Sequence, residues 1–215
     1  IEYEKILPTD AQMVTVINPK NIASKGNLSN LGQYQLFDFL QQSILESSTE
    51  TQKVWQEYIN NPQDIGIDLN RPFYIFGKEV RNKMYVGLTM KMNNKSDFED
   101  FITQIYQAQT KKTIQFTEEN GFTFIEGFDK PLIGWNKNSI FILASELGNI
   151  TQNVKVVYNQ IIKQDSSLYD NPSFNDMATN AQDISVWYNN NFVKKFKNST
   201  DSISKNEYQN NYWVT

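Results

Sequence analysis

Two residue types are missing altogether from this chain of 215 residues: cysteine and histidine. Without cysteine there are no disulfides, thiolate metal sites or thiol nucleophiles. Without histidine, no unperturbed side chain titrates near neutrality, which removes most hydrolase triads, imidazole zinc sites and histidine acid–base pairs. Any catalysis would rest on carboxylates, lysine, tyrosine or serine. A basic excess is lacking too. Twenty Lys and Arg stand against 24 Asp and Glu, for a net charge of −4, and the cations are scattered singly, which argues against a nucleic-acid partner. No apolar run approaches the roughly 20 residues of a spanning helix. There is no Gly-x-Ser-x-Gly elbow and no glycine-rich phosphate loop. No cofactor is expected, and the chain opens at Ile1 with no charged and apolar leader, read here as a leader removed or cut away.

The residues present are those of a globular domain. Hydrophobic residues make up 39% and aromatics 13%, enough to fill a core at this length. The chain is organised around Ile6 to Lys25. A Pro8-Thr9-Asp10 turn leads into the branched run Met13 to Ile17, and Asn18-Pro19 ends it, since proline cannot donate to a ladder. An echo follows much later, where Ala181-Gln-Asp-Ile-Ser-Val matches Ala11-Gln-Met-Val-Thr-Val at Ala, Gln and the final Val. The echo divides the chain into an α+β domain over 1–168 and a segment 169–215, either the start of a second, truncated unit or closing strands of the first.

Between these marks, helices and strands alternate. Asn21 to Asn30 reads as a polar connection. Leu28, Leu31, Phe37, Leu40, Ile44 and Leu45 recur at helical spacing, and Ser47-Ser-Thr-Glu50 opens a second helix carrying Val54, Trp55, Tyr58 and Ile59. Phe73 to Phe76 is a buried strand. Met84, Val86, Leu88, Met90 and Met92 alternate with Tyr85, Gly87, Thr89 and Lys91, which predicts a strand with Tyr85 on its wet face. Ser96-Asp-Phe-Glu99 has capping-box spacing ahead of the stripe Phe98, Phe101, Ile102, Ile105, Tyr106. Asn120-Gly121 marks a type I′ hairpin, and Asn136 to Ser139 a second turn. Ile150 to Ile162 gives one more amphipathic helix, and Gln164 to Pro172 has the polar composition of a boundary. The expected fold is α+β: a mainly antiparallel sheet with amphipathic helices packed on it in two layers.

Two blocks carry a resemblance. Leu7-Pro-Thr-Asp-Ala-Gln-Met-Val-Thr-Val-Ile-Asn-Pro-Lys-Asn-Ile22, followed by Lys25, is the first. The second, Asn61 to Phe76, holds the core Asp64-x-Gly66-Ile67-Asp68-x-x-x-Pro72-x-Tyr74-x-Phe76. Together they resemble a domain-of-unknown-function family of exported Bacteroidetes lipoproteins. The resemblance implies an exported protein, periplasmic or at the cell surface, held to the membrane only through an N-terminal lipid anchor absent from this chain. It implies no catalytic residues, and its members are longer than this chain.

The candidate sites each have a structural counterpart. Asp64, Asp68 and Asn70 put three oxygen ligands in one loop, the beginning of a calcium site, or equally a set of Asx turns before Pro72. Asp97, Glu99 and Asp100 fall in the first turn of a helix, where carboxylates favour the dipole. Glu118 and Glu119 are neighbours on opposite faces of a strand and cannot span a glycosidase cleft. Asn-x-Ser/Thr triplets at Asn27, Asn94, Asn149 and Asn198 are read as chance in an asparagine-rich chain. Tyr85, Trp135 and Trp187 fall on the less apolar faces of their strands, where aromatics stack on sugars or anchor protein partners, unless helices or further chain cover them. The expectation is a non-catalytic binding or interaction module for a glycan or an envelope protein. A carboxylate-dependent hydrolase and a purely structural envelope scaffold are the alternatives.

Overall fold

The computed structural model describes residues 2–25, 48–125, 132–145, 151–189 and 213–214. The expected helix through Leu28 to Leu45, and the triplets at Asn27, Asn149 and Asn198, lie outside them.

Among the described residues nine strands form one sheet: β1 Met13–Ile17, β2 Phe73–Val80, β3 Lys83–Lys91, β4 Phe116–Glu119, β5 Phe122–Ile125, β6 Leu132–Trp135, β7 Ser139–Ser145, β8 Ile184–Tyr188 and β9 Trp213–Val214. Their order across the sheet is β4-β5-β6-β7-β3-β2-β1-β8-β9, and each neighbouring pair is antiparallel. The described helices are α1 Pro19–Lys25, α2 Thr49–Asn60, α3 Lys95–Thr110, α4 Thr151–Ile162 and α5 Pro172–Thr179. The α+β class and antiparallel sheet are as the alternation predicts. The layering differs, because helices cover both faces and the apolar residues divide into two cores.

One core lies under the N-terminus, α4 and α5. It holds Val14 and Val16 of β1, Tyr74 and Phe76 of β2, Tyr85 of β3, Phe141 and Leu143 of β7, and Trp187 of β8. The other lies under α2 and α3 and takes the alternate residues: Met90, Ile140, Trp135 and Ile125, against Phe98, Phe101, Ile102, Ile105 and Tyr58. This period-two division is what a sheet buried on both sides requires.

The turns follow their chemistry. Asn120 and Gly121 have φ of 53° and 76°, the left-handed pair of a type I′ turn. Arg81 and Asn82 join β2 to β3 in the same conformation, φ 52° and 59°, and no glycine announces it. Helix α3 begins two residues earlier than the expected box: Asn94, not Ser96, caps it, its side chain accepting from the amides of Ser96 and Asp97. Ser48, not Ser47, caps α2.

Gln164 to Pro172 is not a boundary. The Ser167 hydroxyl donates to the carbonyls of Glu4 and Leu7, at 2.9 and 3.2 Å, and the Leu168 amide donates to Leu7 at 3.0 Å. These polar residues satisfy a buried N-terminal turn, Tyr3–Ile6, that would otherwise carry orphan carbonyls. Pro19 and Pro172 each open a helix at its first position, as a missing amide allows there. The connection expected from Asn21 onward is therefore helix α1 as far as Lys25. Helix α5, capped by Asn171, buries Phe174, Met177 and Ala178.

The segment after residue 169 contributes to the same sheet: β8 lies beside β1, with Val14 opposite Trp187 and Val16 opposite Ser185. The echo is out of phase. Val14 and Val16 are fully buried, whereas Ile184, the echo of Val14, is 48% exposed on the other face.

Buried tyrosines give the first two predictions. Tyr158 is fully buried among Phe122, Phe124 and Phe141, and among the described residues its hydroxyl has no hydrogen-bond partner. Tyr158→Phe is expected to raise unfolding free energy by roughly 0.5–1 kcal/mol in urea melts, because it removes an unsatisfied buried hydroxyl. Burial, chiefly, pushes the phenols of Tyr3, Tyr74 and Tyr158 well above their ordinary value. Above pH about 10 the unfolded chain releases these protons while the folded one keeps them, so stability falls as pH rises, by up to about 1.4 kcal/mol per unit for each tyrosine. Urea midpoints between pH 8 and 11.5, read alongside tyrosinate absorbance, would check this.

Candidate functional site

The three aromatics expected at the surface are in the core. Tyr85 is 2% exposed, Trp135 0% and Trp187 3%. The face of β3 that reads as wet is the better buried one. Thr89 turns its hydroxyl to the carbonyl of Tyr3 at 3.0 Å, and Gly87 leaves room for the Phe76 ring, which a Cβ there would meet at 2.1 Å. Val86, expected inside, is 46% exposed. Small and hydroxylated residues on that face make room for the N-terminal turn, and periodicity alone takes them for a solvent face.

Trp135 stands edge-on to Phe98 and Phe116, with centroids 5.5 and 5.2 Å away. Its indole N–H donates to Glu99 Oε1 at 2.9 Å, so the residue expected to complete a capping box instead satisfies a buried indole. Trp187 packs edge-on against Phe174 at 5.8 Å. No surface for stacking a sugar is formed by these three rings. Trp135→Ala is expected to lower stability by about 3–5 kcal/mol, the cost of an emptied aromatic site, and Trp135→Phe by less; thermal melts of both variants would show the order.

Asp64, Asp68 and Asn70 belong to two local turns. The Asp68 side chain accepts the Asn70 amide at 3.0 Å, an Asx turn. Asp64 lies before Gly66, in the 3-10 turn Pro62–Ile65. The block between them is a joint. Gly66 has φ 78°, and a Cβ on it would meet the Asn94 carbonyl at 2.4 Å. Its carbonyl accepts the amides of Asn93 and Asn94, at 2.9 and 3.1 Å, and Ile67 bridges to Met92. The Asp-x-Gly-Ile-Asp residues thus fasten the end of α2 to the start of α3.

That joint shapes the polar cleft that is the candidate site. It has a volume of about 250 Å³ and is lined by Glu57, Tyr58, Asp64, Asp97, Asp100 and Gln104. Asp97, Asp100 and Gln104 recur at helical spacing and so share one face of α3. Glu57 and Tyr58 come from α2, whose apolar stripe packs on Phe101: Trp55 and Tyr58 meet that ring edge-on at 5.5 and 4.8 Å. Tyr58 is buried, and its phenolic oxygen accepts the Gln104 amide at 2.9 Å. Burial first, then the carboxylates of Glu57, Asp100, Asp64 and Asp97, raises the Tyr58 phenol above its ordinary value. Glu57, Asp64 and Asp100 are exposed and Asp97 is half-buried. Among the described residues none of the four forms an ion pair, and no three acidic groups are placed to hold a metal ion. From spacing alone Asp97 and Asp100 have a helix-dipole role and Asp64 a loop role. Their meeting depends on how α2 folds back on α3, which spacing does not encode.

A family model described as a domain of unknown function, DUF4836, matches residues 3–215. The chain belongs to that family. No curated protein and no solved structure matches it. Among the described residues no helix is long and apolar enough to cross a membrane.

Proposed function

We propose that this chain is a non-catalytic interaction module of an exported, lipid-anchored cell-envelope protein, and that the cleft between α2 and α3 takes a cationic group from an envelope partner. The observation that carries this is the gathering of Glu57, Asp64, Asp97 and Asp100 around one cleft with no ion pair among the described residues. Like charges held together disfavour the folded state, and a cation entering among them offsets that repulsion. An ammonium or guanidinium fits this arrangement better than a metal ion, because several separate carboxylates can each accept one of its N–H groups. The tie to the envelope rests on the resemblance of the Leu7 and Asn61 blocks to exported lipoproteins.

The carboxylate-dependent hydrolase is the second reading, favoured by carboxylates contributed from both helices that flank the cleft. It is the weaker one. A carboxyl acting as general acid is helped by an apolar, water-excluding pocket, and three of these four side chains are exposed.

An oligo-arginine peptide titrated into the domain at low and at physiological salt tests the proposal. Binding is expected to weaken with salt and to fall at least tenfold in the double variant Asp97→Asn, Asp100→Asn, while the melting temperature of that variant stays the same or rises. Equal binding by the variant would refute the cleft as the site. Turnover of an envelope substrate that is lost in Asp97→Asn would favour the hydrolase. Fractionation of cells expressing the full-length protein, with a lipid label, addresses location; recovery in the cytosol without label would overturn export.

A further inference from the structure

Strand β4 closes the sheet on one side, and no described strand lies beyond it. Its free edge follows from the hairpin. Glu119 and Phe122 flank the two-residue Asn120-Gly121 turn and so exchange both backbone bonds; the alternation of an antiparallel ladder then turns the amide and carbonyl of Thr117 toward β5, and those of Phe116 and Glu118 away from it. Along this edge Lys112, Thr113, Gln115, Phe116 and Glu118 are exposed, and Ile114 and Thr117 half-buried. Phe116 stands 39% exposed although its ring lies edge-on to Trp135.

The edge reads Lys111-Lys-Thr-Ile-Gln-Phe-Thr-Glu-Glu119, a run whose second half mirrors the first with the charge inverted. Turned about Gln115 and laid antiparallel on itself, it sets Lys112 opposite Glu118, Thr113 opposite Thr117, Ile114 opposite Phe116 and Gln115 opposite Gln115. The hydrogen-bonding parity agrees, because Phe116 and Glu118, whose backbone groups face outward, meet Ile114 and Lys112, which alternate in phase with them. The Lys112 amide already donates to the Thr110 hydroxyl at 3.2 Å, which leaves its carbonyl for such a ladder. Lys112 and Glu118 form no ion pair among the described residues, whereas their neighbours are engaged, Lys111 with Glu50 and Glu119 with Lys155. Charge on an edge strand ordinarily keeps copies apart. Here the two ends carry opposite signs, so an antiparallel copy is attracted and a parallel one repelled.

We infer that the β4 edge is a self-association surface: two copies of this chain join antiparallel through residues 112–118 about a two-fold axis at Gln115, making one continuous sheet across both. The contact is isologous, each copy presenting the same patch. Main-chain bonds from Ile114, Phe116 and Glu118 supply the ladder, the Ile114–Phe116 pairs cover the exposed ring, and the Lys112–Glu118 pairs fix the register. None of these residues lines the carboxylate cleft, so the two surfaces are distinct.

Sedimentation of the whole chain at rising concentration is expected to show a monomer–dimer equilibrium. Glu118→Lys and Lys112→Glu each place like charges opposite one another twice per dimer, and each is expected to weaken association roughly tenfold. The two substitutions together exchange the charges and are expected to restore association, which loss of folding in either single variant would not allow. The absence of native cysteine gives the register directly. Opposed residues of a non-hydrogen-bonded pair stand about 4.5 Å apart at Cα, within disulfide reach. Gln115→Cys, on the axis, is therefore expected to oxidise to a linked dimer roughly tenfold faster than Thr117→Cys, whose two copies are out of register with each other, and than Val156→Cys, exposed on α4. A monomer at every concentration, failure of the charge-exchanged variant to recover, or equal oxidation of the three cysteine variants would overturn the proposal.

Discussion

The fold depends on the burial of its first turn against the middle of the sheet. Tyr3, Ile6 and Leu7 are almost wholly inaccessible, and such a turn exports polar carbonyls into an apolar layer. Each has to be met. Thr89 meets Tyr3 from below, Ser167 meets Glu4 and Leu7, and Gln164 donates to Lys5 and Leu7 at 3.2 and 2.9 Å. These partners come from β3 and from the link between α4 and α5, far apart in sequence. The same contacts close one core from Tyr3 to Trp187.

This constraint explains why the aromatic surplus is not a surface. A sheet with one wet face has no use for tryptophan on both sides, but a sheet covered on both faces does. Trp187 fills the space under α5 and Trp135 fills the space under α3, where Glu99 accepts its N–H. With those rings withdrawn, the candidate site among the described residues is the polar α2–α3 cleft with its four carboxylates. The Gly66 joint that positions them is part of the most recognisable block in the chain. Its two-sided packing, with no room for a Cβ, accounts for that motif by backbone geometry and needs no bound ligand.

Local spacing and turn chemistry carry much of this fold. The β1 strand and its Asn18-Pro19 end, the Asn120-Gly121 turn, the stripes of α2, α3 and α4, and the antiparallel pairing through short hairpins all follow from spacing and turn chemistry. At other positions a residue's local meaning and its tertiary use diverge. Gly87 and Thr89 look solvent-facing because they are small or hydroxylated, yet they are small and hydroxylated to admit Phe76 and to bond Tyr3. Gln164 to Pro172 looks like a linker because it is polar, and is polar because it serves buried carbonyls.

The sequence by itself determined the α+β class, the elements that carry strong periodicity, and the exclusion of thiol and imidazole chemistry, since these depend on residue type and on spacing along one segment. Tertiary structure alone decided which face of β3 is inner, that β8 joins β1 in one sheet, and that Glu57, Asp64, Asp97 and Asp100 share a cleft. Those facts rest on contacts between segments tens to more than a hundred residues apart, and period-two alternation is symmetric: it distinguishes two faces of a strand without saying what will lie against either.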